Sequence, residues 1–336
     1  MNQAITDAQL DASPIARIRQ TLAQSFSIST YGPFIALLIA CVFFATQSPR
    51  FLTGPNLSLV VQQVVVVGTL AIGQTLIILT SGIDLSVGSV MAISSIVMGK
   101  FAVDYGLPAP VAILAGVVCA TVFGYLNGTL ITRLKLPPFI VTLGMLNIAF
   151  ALTHIYSQEQ TIVNLPPLMT FLGTTFKIGQ TAITYGTIVM LLMYLLTWFV
   201  LRETAVGRHI YALGNNPEAA RLTGIQTQRL LLYVYTAAGV IFGIAALLLI
   251  GRVEVASPQA GQTDNLDSIT AVVLGGTSLF GGRGNVLGSL VGALIIGIVR
   301  NGLQLMQVNA LYQVLITGIL VILAVTVDQL SRRKTR

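Results

Sequence analysis

From about residue 34 to residue 327 the chain is a succession of apolar blocks separated by short polar gaps. Several blocks approach the roughly 20 residues that carry an α-helix across a bilayer. Runs such as TYGTIVMLLMYLLTWFVL are apolar on every side, whereas a transmembrane barrel alternates polarity over segments of about ten residues. The pattern predicts an all-α, polytopic membrane protein with about ten transmembrane helices. They fall near 31–48, 57–80, 87–103, 109–131, 137–155, 183–201, 230–250, 268–281, 286–306 and 311–328. The eighth, SITAVVLGGTSLFG, is short for a crossing and reads as a broken or re-entrant element. A single membrane domain, 31–328, is thus expected between a polar arm, 1–30, and a basic tail, 329–336.

Composition narrows the class further. Of 336 residues, 54% are hydrophobic and 9% charged, against about 25% charged in an ordinary soluble domain. A soluble globular protein is excluded. The net charge of +7 could suggest nucleic acid, but in a membrane protein lysine and arginine first set topology. With the N-terminus inside, the inner side collects Arg17, Arg19, Arg133, Lys135, Arg202, Arg208, Arg221, Arg229, Arg283, Arg332, Arg333, Lys334 and Arg336. That is thirteen of the eighteen basic residues, so both termini are expected in the cytoplasm and no nucleic-acid partner is expected. No small-residue cleavage site follows the first apolar run, which reads as an uncleaved helix. Cys41 and Cys119 both lie in apolar runs, where packing is their expected role.

Three stretches interrupt the apolar text. In SGIDLSVGSV, Gly82 can end one helix, and Asp84 or Ser86 can cap the next by accepting from unpaired N–H groups. A helix break near the membrane is tolerated only where protein or a water-filled cavity surrounds it, so the same residues also read as flanking a transport path. In GRHIYALGNNPEAARLTGI, Asn216 is an N-cap, Pro217 suits the first helical position, Glu218 favours the positive helix start and Gly224 fits the C′ position. A two-turn helix over 217–223 is expected in the loop 202–229, either lying on the membrane surface or meeting a cytoplasmic partner. In AVVLGGTSLFGGRGNVLGSLVGA no Lys-Ser/Thr follows the second glycine, so the Walker pattern fails. Its glycines, Gly275 and Gly276 among them, read as helix packing. SGIDLSVGSVMA and GGRGNVLGSLVG also align without gaps, a faint parallel repeat.

Polar residues inside spans are costly in lipid and face other helices or a cavity. Gln62, Gln63, Gln74, Asn127, Asn147 and His154 are of this kind, and interhelical bonding competes with path lining for each. Gln62, Gln74, Asp84, Ser86, Ser89, Asn127, Asn147, Gly275 and Gly276 form the candidate translocation path. Arg300 falls inside the ninth segment, where snorkelling or a pair with Asp264 or Asp267 would accommodate it. Tyr194 and Trp198 look like belt aromatics. His209 has no second ligand at metal spacing, so neither metal nor cofactor is expected.

Taken in this order, LTSGIDLSVGSV, GRHIYALGNNPEAARLTGI and AVVLGGTSLFGGRGNVLGSLVGA closely resemble the ribose/xylose/arabinose-type permeases of bacterial ATP-binding-cassette sugar importers. The similarity runs from about residue 51 to 328. Small departures occur: NLDSI stands where members often have Glu-Leu-Asp-Ala-Ile, and NNPEAA where many have Gly-Asn. The resemblance implies an inner-membrane subunit working as a pair, with a cytoplasmic ATPase and a periplasmic sugar-binding protein. It also implies that Asn216, Pro217, Glu218, Ala219, Ala220, Arg221 and Gly224 form the ATPase-coupling element. Related permeases carry autoinducer-2, nucleosides or branched-chain amino acids.

Other classes fit less well. A self-sufficient secondary transporter or channel needs acidic relays buried in the membrane, and apart from Asp84 the expected spans hold almost none. A membrane enzyme would need paired acids, a nucleophile with its base, or a metal cluster, and the sequence offers none of these.

Overall fold

The computed structural model describes residues 28–179 and 181–333. The arm before residue 28, with Arg17 and Arg19, and the tail beyond 333, with Lys334 and Arg336, lie outside the described residues. In chain order the elements are α1 (Ile28–Gln47), α2 (Gly54–Leu79), α3 (Val87–Val103), α4 (Ala109–Arg133), α5 (Pro138–Ser157), the single turn α6 (Pro167–Thr170), β1 (Thr175–Ile178) and β2 (Thr181–Thr184). There follow α7 (Tyr185–Glu203), α8 (Ala205–Asn215), α9 (Pro217–Leu222), α10 (Thr227–Val253), α11 (Asp264–Leu274), α12 (Val286–Leu305) and α13 (Ala310–Arg333).

Among the described residues six helices, α2, α4, α5, α7, α10 and α12, are long and apolar enough to cross a membrane. α1, α3 and α13 coincide with the first, third and tenth expected segments. The eighth differs: its helix begins at Asp264, four residues before the expected start, and stops at Leu274. Eleven residues rise only about 16 Å, half of a hydrocarbon core of about 30 Å. The chain before α11 covers further depth without a helix. Ala256 pairs with Ile162 beside Gly99 near the end of α3, and five residues later Gly261 lies on Gly88 at the start of α3.

α2 is the centre of the bundle. It is apolar all round, and Leu70, Ala71, Ile72, Ile77 and Ile78 are fully buried, as expected of a helix with neighbours on every side. It runs antiparallel to α12, where Asn56 and Asn301 exchange amide hydrogen bonds of 2.9 Å and Thr75 meets Ser289 at 2.8 Å. Beside α7 it runs parallel, with the Tyr194 hydroxyl donating to the Gly68 carbonyl at 2.8 Å. α4 and α10 approach through small residues: a Cβ on Gly124 would lie 2.4 Å from the Tyr235 carbonyl oxygen, and one on Gly239 2.6 Å from that of Ala120. Lipid offers helices no hydrophobic reason to associate, so close backbone contact of this kind is what holds them. Outward faces of α4 and α7 expose Leu114, Val118, Val122, Leu192, Leu195 and Leu196, a surface suited to lipid and not to water.

The two ends of the bundle differ. One end carries the β1–β2 hairpin, absent from the sequence reading, with Arg50, Lys100, Lys177 and Arg252 near it. The other carries α8, α9 and the helix-connecting turns, with Arg133, Lys135, Arg202, Arg208, Arg221, Arg229 and Arg283.

Candidate functional site

α9 is short and held at both ends. Asn216, in extended backbone, accepts from the N–H groups of Glu218 (3.1 Å) and Ala219 (3.0 Å), and Pro217 opens the helix. The helix ends one residue earlier than the sequence suggests, with Thr223 as its C-cap. Gly224 follows at φ +90°, and the Ile225 N–H returns to the Ala220 carbonyl at 3.1 Å. Only a glycine takes that left-handed position without cost. Ala220 is buried, while Glu218, Ala219, Arg221 and Leu222 face outward. Glu218 and Arg221 pair at 2.7 Å, and the hydrogen bond from Arg221 holds the Glu218 carboxyl below the usual carboxylate range.

Sequence reasoning missed α8, whose Val206, Ile210 and Leu213 recur at helical spacing after an N-cap at Thr204. This helix joins α9 to the turns at the ends of four membrane helices. Gly214 lies so close to α2 that an added Cβ would stand 1.7 Å from the Leu79 carbonyl oxygen. The same carbonyl accepts from Gly282 N–H at 2.9 Å. Ser81 Oγ, in the 81–86 turn between α2 and α3, donates between the carbonyls of Gly214 (3.0 Å) and Phe280 (2.9 Å). Tyr211 donates to the Gly284 carbonyl at 2.9 Å. Thus α8 touches the 81–86 turn and the 275–285 turn at once, and the two stretches that align in sequence are neighbours in space.

Of the candidate path residues, the structure brings four together. Asp84 accepts from the Ser86 N–H (2.7 Å) and hydroxyl (2.6 Å), closing the turn before α3; Ser86 is the N-cap residue, and neither side chain accepts from the helix N–H groups that follow. Gln74 Nε2 donates to the Asp84 carbonyl at 2.9 Å, and Asn127 Nδ2 to Ser86 Oγ at 3.1 Å. All four are buried, so α2, α3 and α4 are tied at the break. Among the described residues Gln74 Oε1, Asn127 Oδ1 and the Tyr235 hydroxyl, all buried, have no hydrogen-bond partner.

The other five lie elsewhere. Ser89, one turn further along α3, lines a cavity of about 200 Å³. Gly275 is buried against Gly288, and Gly276, at φ +84°, is exposed in the turn. Gln62, half-buried, donates to Ser58 near the hairpin end, and Asn147, exposed, donates to Leu143 of its own helix. Of its three options, Arg300 takes the pair with Asp267, which is buried, at 2.6 Å, tying α12 to the half-helix α11. Tyr194 is fully buried, not a belt residue. Trp198 carries the Arg202 guanidinium over its ring at 5.3 Å.

Comparison with known proteins gives this arrangement its context. Residues 56–325 match the model of a family described as the permease component of the branched-chain amino acid transport system. Over 98% of the chain and 95% of the relative, the sequence is 42% identical to the fructose import permease of Rhizobium meliloti. It is 39% identical to the ribose import permease of Bacillus subtilis strain 168 over 89% of the chain and 92% of the relative. Against the D-allose transport system permease of Escherichia coli K12 the identity is 35%, over 89% and 91%. Permease subunits are not enzymes, and with six spanning-length apolar helices among the described residues this one is a multi-pass inner-membrane protein. The chain belongs to the monosaccharide permease family of ATP-binding-cassette transporters.

Proposed function

We propose that the chain is the translocating subunit of an importer for a small neutral monosaccharide of the fructose or ribose kind. It works as two identical copies, receives sugar from a periplasmic binding protein, and is driven by a separate ATPase on the cytoplasmic side. The end bearing α8 and α9 is the cytoplasmic one, and both termini lie there; the concentration of arginine at that end supports this orientation.

The observation that carries the reading is the double contact of α8. An ATPase docked on the outward face of α9 would move a capped, rigid piece whose neighbour is bonded to the turn before α3 and to the turn before α12. A displacement of α9 therefore reaches the starts of two membrane helices together. Such a protein needs no covalent chemistry: partners and nucleotide shift the balance between inward- and outward-facing states by binding one better than the other. Gly275 and Gly276 would act as the pliant end of α11, and the Asp84 cluster as the fixed base of α3.

The test is reconstitution of the chain in liposomes with its ATPase and binding protein. ATP inside the ATPase compartment should drive fructose or ribose uptake, and Gly214→Val should abolish it without removing the ATPase. Uptake driven by a pH gradient with no ATP would overturn the reading in favour of a secondary transporter.

A further inference from the structure

The cavity beside Ser89 lies within a single copy, between α3, α5 and the loop leading into α11. Its lining combines two chemistries. Phe150 and Leu146 supply apolar surface, and Ser89, Thr153, Gln262 and Asn265 supply hydroxyls and amides. Among the described residues no charged side chain lines it. A carboxylate, phosphate or zwitterionic amino acid would enter without a counter-charge, at a heavy desolvation cost, whereas a neutral polyol would not.

The hydrogen-bonding capacity is open. Among the described residues Ser89 Oγ and the Gln262 amide have no partner, although both carry donors and acceptors. Asn265 Nδ2 donates to the Leu85 carbonyl at 3.3 Å and its Oδ1 accepts from the Leu266 N–H at 2.9 Å, which leaves the amide one further N–H and one lone pair. Thr153 donates to Ala149 at 2.6 Å and keeps its lone pairs for accepting. On the other wall, Phe150 is 43% exposed, its ring 4.1 Å from that of His154. An aromatic face next to an unpartnered amide and an unpartnered hydroxyl suits a sugar ring, whose C–H face is apolar and whose rim is polar. Size agrees as well. The cavity measures about 200 Å³, and an apolar cavity of about 150 Å³ accommodates benzene, so there is room for one sugar ring.

The floor of the cavity is a close backbone contact. A Cβ on Gly88 would lie 2.0 Å from the Gly261 carbonyl oxygen, and one on Gly261 2.4 Å from that of Gly88. Gly261 also sits at φ +76°. The loop can reach this depth on α3 only with glycine on both sides, and from there it presents Gln262 and Asn265 to the space.

We propose that this cavity is a sugar-holding site inside each copy, which a single neutral monosaccharide occupies in transit, with its C–H face on Phe150 and its hydroxyls on Ser89, Gln262 and Asn265. This rests on the sugar-import reading above. The site discriminates among sugars by the positions of their hydroxyls, in addition to any selection made before the sugar reaches the membrane.

The experiment measures uptake of radiolabelled fructose, ribose and leucine by the assembled importer, with membrane levels of each variant determined in parallel. Phe150→Ala and Gln262→Ala, both at accessible positions, should change the ratio of fructose to ribose uptake by about tenfold, entry of a sugar excluded by the parent counting as such a change. Ser89→Trp, which fills the space, should lower both sugars by about tenfold or more. A merely structural role would lower both sugars in proportion and leave the ratio unchanged, and that result overturns the site. Parental rates in Ser89→Trp at parental membrane level overturn it equally. If the parental importer takes up leucine and neither sugar, the sugar-import reading itself fails, and the site falls with it.

Discussion

Two regions of this molecule use the same local devices in opposite surroundings. At α9, Asn216 caps a helix start and Glu218 pairs with Arg221, all of them exposed. In the bundle, Asp84 closes the turn onto Ser86 just before α3 and Asp267 pairs with Arg300, with both carboxylates at most 2% exposed. The distances are nearly equal, 2.7 Å for the outer ion pair and 2.6 Å for the inner one. Water makes them unequal in energy. An exposed pair exchanges solvation for contact at almost no net gain, while a buried pair cannot lose one member without stranding the other. The interior set therefore holds the fold, and the exterior set is available for a partner.

The largest effect should come from the inner ion pair. Arg300→Ala leaves Asp267 buried without its cation, and should lower stability in detergent by about 3 kcal/mol, the lower end for a broken buried pair because a third of Arg300 stays accessible. The double variant Arg300→Met with Asp267→Leu should recover most of that loss. Equal melting of the single and double variants would show that the carboxylate finds another partner. Arg221→Ala, the outer counterpart, should melt with the parent.

Next comes the buried turn. Asp84→Ala removes the acceptor of the Ser86 N–H and hydroxyl, and should cost about 2 kcal/mol, while Asp84→Asn keeps an acceptor oxygen and should cost less than half as much. Chemical denaturation of both variants decides. If Asn and Ala behave alike, the turn does not depend on this oxygen.

How much of this contrast was legible in the sequence depends on range. Asn216, Pro217 and Gly224 act within eight residues of one another, so their roles could be read from spelling alone. The apolar blocks gave nearly all the long helices, because in lipid every backbone bond must close within its own segment. Contacts across the fold were not legible. Nothing near Ser81 predicts that its hydroxyl meets Gly214 and Phe280, and nothing near Arg300 chooses between Asp264 and Asp267. The expected path residues divide for the same reason: Gln74, Asp84, Ser86 and Asn127 converge, while Asn147, alike in type, faces outward. α8 left a local signal, the spacing of Val206, Ile210 and Leu213, that the stronger pattern of α9 overshadowed.

A smaller effect on stability separates folding from coupling. Gly224→Val places a β-branched residue at φ +90° and should cost about 1 kcal/mol through strain or loss of the last turn of α9. Among the described residues a Cβ there meets nothing within 4 Å, so packing adds no further penalty. Sugar uptake should fall far more than stability does. Retained uptake with the expected loss of stability would mean that the end of α9 can unwind without consequence for transport.

The smallest expected change in stability carries the sharpest distinction. Glu218→Lys puts a cation at the N-terminal turn of α9 and beside Arg221, where the parental carboxylate completes both the helix end and the ion pair. Both partners are exposed, so water and salt screen the repulsion, and melting should match the parent. An ATPase seated on this face, however, meets a reversed charge at its contact. Copurification of the ATPase should weaken, and the loss should grow as ionic strength is lowered, because screening then hides less of the mismatch. Arg221→Glu should weaken docking in the same way, and the double exchange, which restores the pair in the opposite order, should recover the helix without recovering the partner. If the double exchange docks and transports like the parent, the pair serves only α9 itself, and the outward face of this helix is not where the ATPase binds.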